Sequence, residues 1–387
     1  MKKLISRRKF LAAMGTMAAA GVLTACGGSS SGTASSAAAS STAASAAESW
    51  GDVKLTMWGA EEDQTMLREM ADAFIEQNAD KGNVTIEIGV QSESSAKDTV
   101  LADPESAADV FAFADDQLNE LVNAGALQEV LLNPDDVKSR NLPGSVGAAT
   151  MNDKLYAYPM TADNGYFLYY DASVLSAEDV QSVDTMLEKA AAAGKKFMMS
   201  VNDAWYIYSF YAGAGLVATL ADDGINTVCN WNEAPGTWNA STAEEAWGEG
   251  YAATKLPTYT LNGAQVQMGS FSGYKLVGVN PHSANVGVAM MLADFITNED
   301  NQNKRFNDRK LGPSNINANA TEAVQSAPAI AALAEQSSYA TLQRVGANYW
   351  SSAASLGEIL ASGDTQGKTT QQLVDDAVAG ITAPVAQ

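Results

Sequence analysis

Histidine and cysteine are nearly missing from this chain, with one His and two Cys in 387 residues. A disulfide framework is therefore excluded, and a zinc site, which needs clustered Cys or His donors, has no material to be built from. Cations are scarce too: 23 Lys and Arg stand against 45 Asp and Glu, a formal net charge of −22. Nucleic acid needs a basic footprint and anionic lipid attracts cationic segments, so neither is expected as a partner of the folded body. No apolar run is long enough to span a bilayer; the one from about Phe10 to Val22 is short and rich in alanine. What is present suffices for a core. Hydrophobic residues make up 46% and charged residues 18%, which excludes global disorder, and the length suits two ordinary domains. Neither a metal nor an organic cofactor is expected.

Residues 1–25 hold Lys2, Lys3, Arg7, Arg8 and Lys9 and no acid, ahead of the short apolar run. This reads as a signal peptide. Leu23-Thr24-Ala25-Cys26-Gly27 resembles the bacterial lipobox, in which the Cys thiol takes a diacylglycerol before cleavage, so Cys26 is the expected lipidation site. Ser6-Arg7-Arg8-Lys9-Phe10-Leu11 also resembles a twin-arginine signal; an ordinary basic segment that contains Arg-Arg is the equal alternative. Residues 26–50 are dominated by Ser and Ala and read as a flexible tether, because such a composition buries no core. The expectation is an exported lipoprotein on the outer face of the bacterial cytoplasmic membrane, touching it through the lipid only. Cys229, left without a partner, reads as buried and inert.

The body alternates strand and helix patterns. Val53–Trp58 reads as a strand, Met66, Leu67, Met70, Phe74 and Ile75 recur at helical spacing, and Val84, Ile86 and Ile88 alternate as a strand. The continuous apolar run Val110–Ala114 predicts a strand buried on both faces. Asp115-Asp116 stands where a helix cap is wanted, before a helix carrying Leu118, Leu121 and Val122 and closed by Gly125. Further on come a strand at Tyr166–Tyr170, helices near Val183–Ala193 and Val288–Thr297, and a helical C-terminus; no internal repeat is seen. This order predicts an α/β fold with mixed, mainly parallel sheets flanked by helices.

Open parallel sheets bind ligands beyond the carboxyl ends of their strands. There the sequence sets aromatics beside acids and amides: Trp58 before Glu61, Glu62 and Asp63; Phe113 before Asp115, Asp116 and Gln117; Tyr156 and Tyr158 before Asp163 and Asn164. Further aromatics include Trp205, Trp231, Trp238, Tyr349 and Trp350. A sugar ring has an apolar C–H face for an aromatic ring to cover and a hydroxyl rim for carboxylates and amides to bond. Hydrogen bonds to charged groups are the stronger ones, about 1.5–3 kcal/mol each. For each aromatic taken singly, core packing is the competing role; for Asp115 or Asp116 it is a helix cap.

From Val53 to the C-terminus the chain resembles family 1 extracellular solute-binding proteins, and within them the maltose/maltodextrin-binding branch. The resemblance rests on Lys54–Trp58, Ala108–Asp116, Asn123–Leu127, Asp153–Pro159, Leu276–Asn280, Ala293–Glu299 and Leu311–Pro313, in that order behind a lipobox. It implies a two-lobed periplasmic-binding-protein-like fold of type II. The first lobe would comprise 51–162 and 282–327, and the second 163–281 and 328–387, shortened near 236 at Pro235-Gly236-Thr237-Trp238. It also implies ligand-binding roles for Phe113, Asp116, Asp163, Trp205, Trp238 and Trp350, beside Trp58 and Glu61 at the end of the first strand. Phe113 stands where tryptophan is familiar in the family, and Gln117 where an arginine is.

The function so implied is a monomeric, lipid-anchored binding protein that delivers malto-oligosaccharides to the permease subunits of an ABC transporter, and not an enzyme. Two other classes compete. A glycoside hydrolase would use two of Glu61, Glu62, Asp116 and Asp163, although no signature selects a pair at the required separation. A binding protein for another solute, a different oligosaccharide or a polyamine, would meet ammonium groups with carboxylates and aromatic faces. The single His282, beside Pro281, has no nucleophile motif to serve and reads as a surface or hinge residue.

Overall fold

The structure is a computed structural model that describes residues 49–197, 200, 202–233, 251–261, 263–363 and 365–385. The signal, residues 26–48 of the tether with Cys26, and Trp238 with the shortened region around 236 lie outside the described residues; Trp50, expected to end the tether, instead packs on Phe74 at the edge of the first core, because its ring is apolar enough to be buried.

The alternating segments form strands as their periodicity predicts. In Gly51–Gly59 the side chains of Val53, Leu55 and Met57 are buried while Asp52, Lys54 and Thr56 are exposed. This strand pairs in parallel with Gly82–Val90, Val53 opposite Val84 and Leu55 opposite Ile86, so the two apolar faces coincide. Val110–Ala114 is buried at every residue and lies in the sheet interior, parallel to Gly51–Gly59 on one side and antiparallel to Ser270–Val279 on the other. Ser270–Val279 also pairs antiparallel with Tyr158–Gly165 and parallel with Ala340–Leu342, which completes six strands. Three of these five pairings are parallel.

Helices cover the sheet. Gln64–Gln77 turns Met66, Leu67, Met70 and Phe74 inward, and Val286–Ile296 is apolar enough to be buried along most of its length. Asp115-Asp116 does not cap a helix through its side chains. The chain enters a 3₁₀ turn, Asp115–Gln117, before the short helix Leu118–Asn123, and Asp115 bonds a distant strand instead. Gly125 follows with φ +70°, the left-handed conformation that ends a helix at little cost for glycine. The strand expected at 166–170 is Leu168–Asp171, paired with Tyr251–Thr254.

The buried apolar residues form two main clusters. One gathers residues from Val53 to Met160 and from Leu276 to Ile296; the other gathers residues from Tyr166 to Phe271 and from Val345 to Ile381. The chain passes between them within Tyr158–Gly165, again within Ser270–Val279, and a third time in the stretch that ends at residues 340–345. The pairing of the first two crossing strands shifts register on both sides of Lys275, a bulge that bends the ladder where it passes from one core to the other.

Candidate functional site

A cavity of about 420 Å³ opens beside these crossings. Leu101, Asp116, Asn119, Glu120, Asn123 and Ala124 line it from the side of the first core; Leu220, Gly224, Ile225, Arg344, Val345, Gly346 and Val385 line it from the second. One contact joins the two walls: Asn119 Nδ2 donates to the Gly224 carbonyl at 3.2 Å. The lining residue Arg344 also reaches the side of the first core, where its Nη2 donates to the carbonyls of Gly147, Ala148 and Thr150 at 2.9, 2.8 and 3.4 Å.

Asp116 is one of the lining residues. Its Oδ1 is enclosed and has no hydrogen-bond partner. Burial raises its pKa to about 6, against the lowering pull of Lys275 and Lys97. Next to it Asp115 is 1% exposed, with Oδ1 accepting from the Tyr274 amide at 2.8 Å and Oδ2 unpartnered. Burial pushes Asp115 up to about 8; the Tyr274 amide lowers it, Asp116 adds to the rise and Arg344 opposes it. Lys97 pairs with Glu120 at 3.0 Å. Gln117, where an arginine is familiar, is buried and structural: it accepts from the Lys97 amide and donates to the carbonyls of Glu93 and Ser94.

Two of the expected aromatics, Trp205 and Trp350, lie on helices packed against the second core and are not among the lining residues of the cavity. Asp203 caps Ala204–Gly213 by accepting from the Trp205 amide at 2.8 Å, which sets the first turn and so the Trp205 ring. Trp350 lies in the first turn of Asn348–Ser362, three residues beyond the Ala347 wall of the cavity. The two rings are half-buried, 6.3 Å apart and tilted by 33°. Beneath them Phe271 lies 5.5 Å from Trp205, and Tyr166 meets Trp205 edge-on at 4.9 Å while its hydroxyl donates to the Trp205 carbonyl.

The other expected residues are placed differently. Phe113 is 0% exposed, packed 5.8 Å from Phe111 within the first core, so no face is free for a ligand. The reason is the sheet: Val110–Ala114 has neighbours on both edges and apolar layers on both faces. Trp58 is half-buried at the end of its strand against Gly89, and Glu61 is exposed on the following turn; neither lines the cavity. Their neighbour Asp63 is buried and paired with Arg305 and Arg309, which fixes that acidic turn to Glu299–Arg309. Asp163 is half-buried, and its Oδ2 accepts from the Gly312 amide at 2.7 Å; burial raises its pKa, opposed by that hydrogen bond. Trp231 is wholly buried, stacked on Tyr211 at 4.0 Å. Cys229 is half-buried, and burial raises its thiol to about 11, which leaves it protonated and unreactive at neutral pH. Arg344 and Asn119 escaped the sequence reading, since each is a lone polar residue whose partner is a backbone carbonyl more than 100 positions away. Among the described residues no group of acids, His and Cys could hold a metal ion, and no helix is long and apolar enough to cross a membrane.

The chain belongs to the bacterial extracellular solute-binding proteins, whose family profile matches residues 69–234 and 231–332. It is 25% identical over 282 residues to a galactooligosaccharide-binding protein of Bacillus subtilis (strain 168); the match takes in 60% of this chain and 66% of that protein. A solved structure with acarbose is 29% identical, with a TM-score of 0.75 over 85% of this chain and 98% of its own. The maltodextrin-binding protein MalE1 from L. casei BL23, solved without ligand, has the same fold at 23% identity, with a TM-score of 0.71 over 86% of this chain and 99% of its own.

Proposed function

We propose that this protein is the lipid-anchored binding component of an ABC importer and captures oligosaccharides of the maltodextrin type. The lobes would be 51–162 with 282–327 and 163–281 with 328–387, moving about the crossing strands. The observation that carries the reading is a cavity lined by Asp116, Asn119, Glu120 and Asn123, together with a half-buried Trp205–Trp350 pair whose Trp350 stands three residues beyond the lining residue Ala347. An apolar platform next to charged and amide acceptors matches the two faces of a sugar ring. Its similarity to the structure with acarbose and to the galactooligosaccharide-binding protein supports a sugar ligand. The signal, the lipobox Cys26 and the tether support attachment outside the cell, where a binding protein meets permease subunits. No bond is made or broken in this role.

The acids among the lining residues, Asp116 and Glu120, also suit an ammonium group, and this favours a polyamine as the second reading. Calorimetric titration of the mature protein with maltose, maltotriose, a galactooligosaccharide and spermidine distinguishes them. Saturable heat with maltotriose is expected. Heat with the galactooligosaccharide alone would move the ligand class, and heat with spermidine alone would replace the sugar reading.

A further inference from the structure

On the side of the second core, the cavity wall is built from three strips of chain that are far apart in sequence. They are Leu220 with the turn Gly224-Ile225, the stretch Arg344–Ala347, and Val385 beyond the helix Thr370–Ile381. The first two strips are laced together at backbone distance. The Leu220 amide donates to the Arg344 carbonyl at 2.7 Å, and the Gly346 amide donates to Thr227 Oγ1 at 2.7 Å. A Cβ at Gly346 would lie 2.4 Å from the Ile225 carbonyl oxygen. The third strip is fastened to both. Asn348 Nδ2 donates to the Ala383 carbonyl at 2.8 Å, and the Val385 amide donates to Asn226 Oδ1 at 2.9 Å. Asn226 is itself held by Asp223, whose Oδ1 accepts from the Ile225 and Asn226 amides at 2.9 Å and whose Oδ2 accepts from Asn226 Nδ2 at 2.6 Å. Between the two tied residues stands Pro384, with a fixed φ and no amide to satisfy. A segment leaving an outer helix is ordinarily loose unless it is tied down. This one is tied on either side of a proline, and the ties bring Val385 to the cavity.

The two walls differ in chemistry. Asp116, Asn119 and Glu120 stand on the first-core side, while the second-core side offers the aliphatic residues Leu220, Ile225, Val345 and Val385. We propose that Val385, held in place by the segment Thr382–Val385, is a specificity-determining residue of the ligand site: it completes an aliphatic wall for the C–H face of a short oligosaccharide whose hydroxyls meet the polar wall. The inference rests on the oligosaccharide-capture reading. A cavity of about 420 Å³ lies toward the small end of the range for small-molecule sites, about 300–1,000 Å³, so the bulk of one wall residue governs how much ligand it admits.

Calorimetry of the mature protein with maltose and maltotriose tests this, because in a close-fitting pocket even one methylene changes discrimination by about tenfold or more. Val385→Trp should weaken maltotriose at least tenfold and maltose by less. Val385→Ala should move the ratio of the two affinities the other way, toward maltotriose. Both variants should keep the wild-type circular dichroism. Unchanged affinities, or a parallel loss for both sugars with a lowered melting temperature, overturn the proposal, since a residue that only supports the fold leaves the ratio alone. If Val385→Trp folds poorly, the wild-type methyl spectrum decides: the Val385 resonances should shift on adding maltotriose, and unmoved resonances at saturation overturn the proposal. Heat with spermidine and no sugar would replace the sugar reading, and Val385→Trp titrated with spermidine would then decide the wall. At least a tenfold loss keeps Val385 in the site, and wild-type affinity removes it. Heat with neither sugar nor spermidine overturns both.

Discussion

Arg344 offers the sharpest perturbation of the contacts between the third crossing and the side of the first core. Its guanidinium is half-buried, and one nitrogen donates to the carbonyls of Gly147, Ala148 and Thr150. Those carbonyls close the helix Pro143–Ala148 and open the strand Thr150–Met151, beside the first core. The Arg344 carbonyl meanwhile accepts from Leu220 on the side of the second core. In Arg344→Ala the three carbonyls lose a charged donor. A hydrogen bond to a charged group is worth about 1.5–3 kcal/mol, and because one nitrogen serves all three, the net loss is set at about 2 kcal/mol rather than a multiple of it. On the two-lobed capture reading, with these contacts made in the closed form only, that shifts the ratio of closed to open about thirtyfold. Scattering of the free protein should therefore show a larger radius of gyration, and calorimetry with maltotriose an affinity at least tenfold weaker. Urea denaturation should leave each core cooperative, since no apolar side chain is removed. Arg344→Lys should recover part of the loss, because an ammonium supplies the charge without the planar fork. Wild-type affinity and wild-type scattering in Arg344→Ala would refute the reasoning.

Further outcomes follow from the packing. Trp350→Ala should weaken maltotriose binding at least tenfold by calorimetry with the fold retained by circular dichroism; unchanged affinity with a lowered melting temperature would assign the ring to the core alone. Gly273→Ala should cost about 1–3 kcal/mol in urea denaturation, because the added carbon meets three polar side chains inside 3.2 Å, and making room for it disturbs the Asn164–Gln343 and Tyr274–Asp115 hydrogen bonds. A neutral result there would mean that the crossings yield independently. Cys26→Ser should release the protein from membrane fractions, with sugar binding by the released protein unchanged, and membrane retention of that variant would contradict lipid attachment.

Much of the architecture was legible because it is written in short-range periodicity. Val53, Leu55 and Met57 alternate, Met66, Leu67, Met70 and Phe74 repeat at helical spacing, and Val110–Ala114 is unbroken, and each became the element its period dictates. The site was legible only in part. Trp205 and Trp350, 145 positions apart, do come together, but nothing local marks them as neighbours. Phe113 stands among acids in sequence, yet its strand packs it inward with Phe111, because burial on both faces leaves no outward side. Asp115 resembled a helix cap because an acid before an apolar helix commonly is one. Its partner is an amide 159 positions on, a relation that only the assembled sheet creates. Arg344, between apolar and amide residues, carries no motif, since carbonyl recognition leaves no trace in the identity of Gly147, Ala148 or Thr150.

The tryptophan pair has foundations. Beneath Trp205 lies Phe271, stacked at 3.8 Å on Tyr208; beside Trp350 lies Tyr349, whose edge meets Trp231, itself stacked on Tyr211 at 4.0 Å. The outer rings are thus the last course of the second core, and their rotamers are held by rings that cannot move without unfolding it. Immobilising a rotamer-rich side chain on binding costs about 0.5–1.5 kcal/mol. For these two that ordering entropy is already lost when the chain folds. On the oligosaccharide-binding reading proposed above, an arriving sugar would meet a surface that need not reorganise, and the conformational part of the binding entropy would be left almost entirely to the movement of whole lobes.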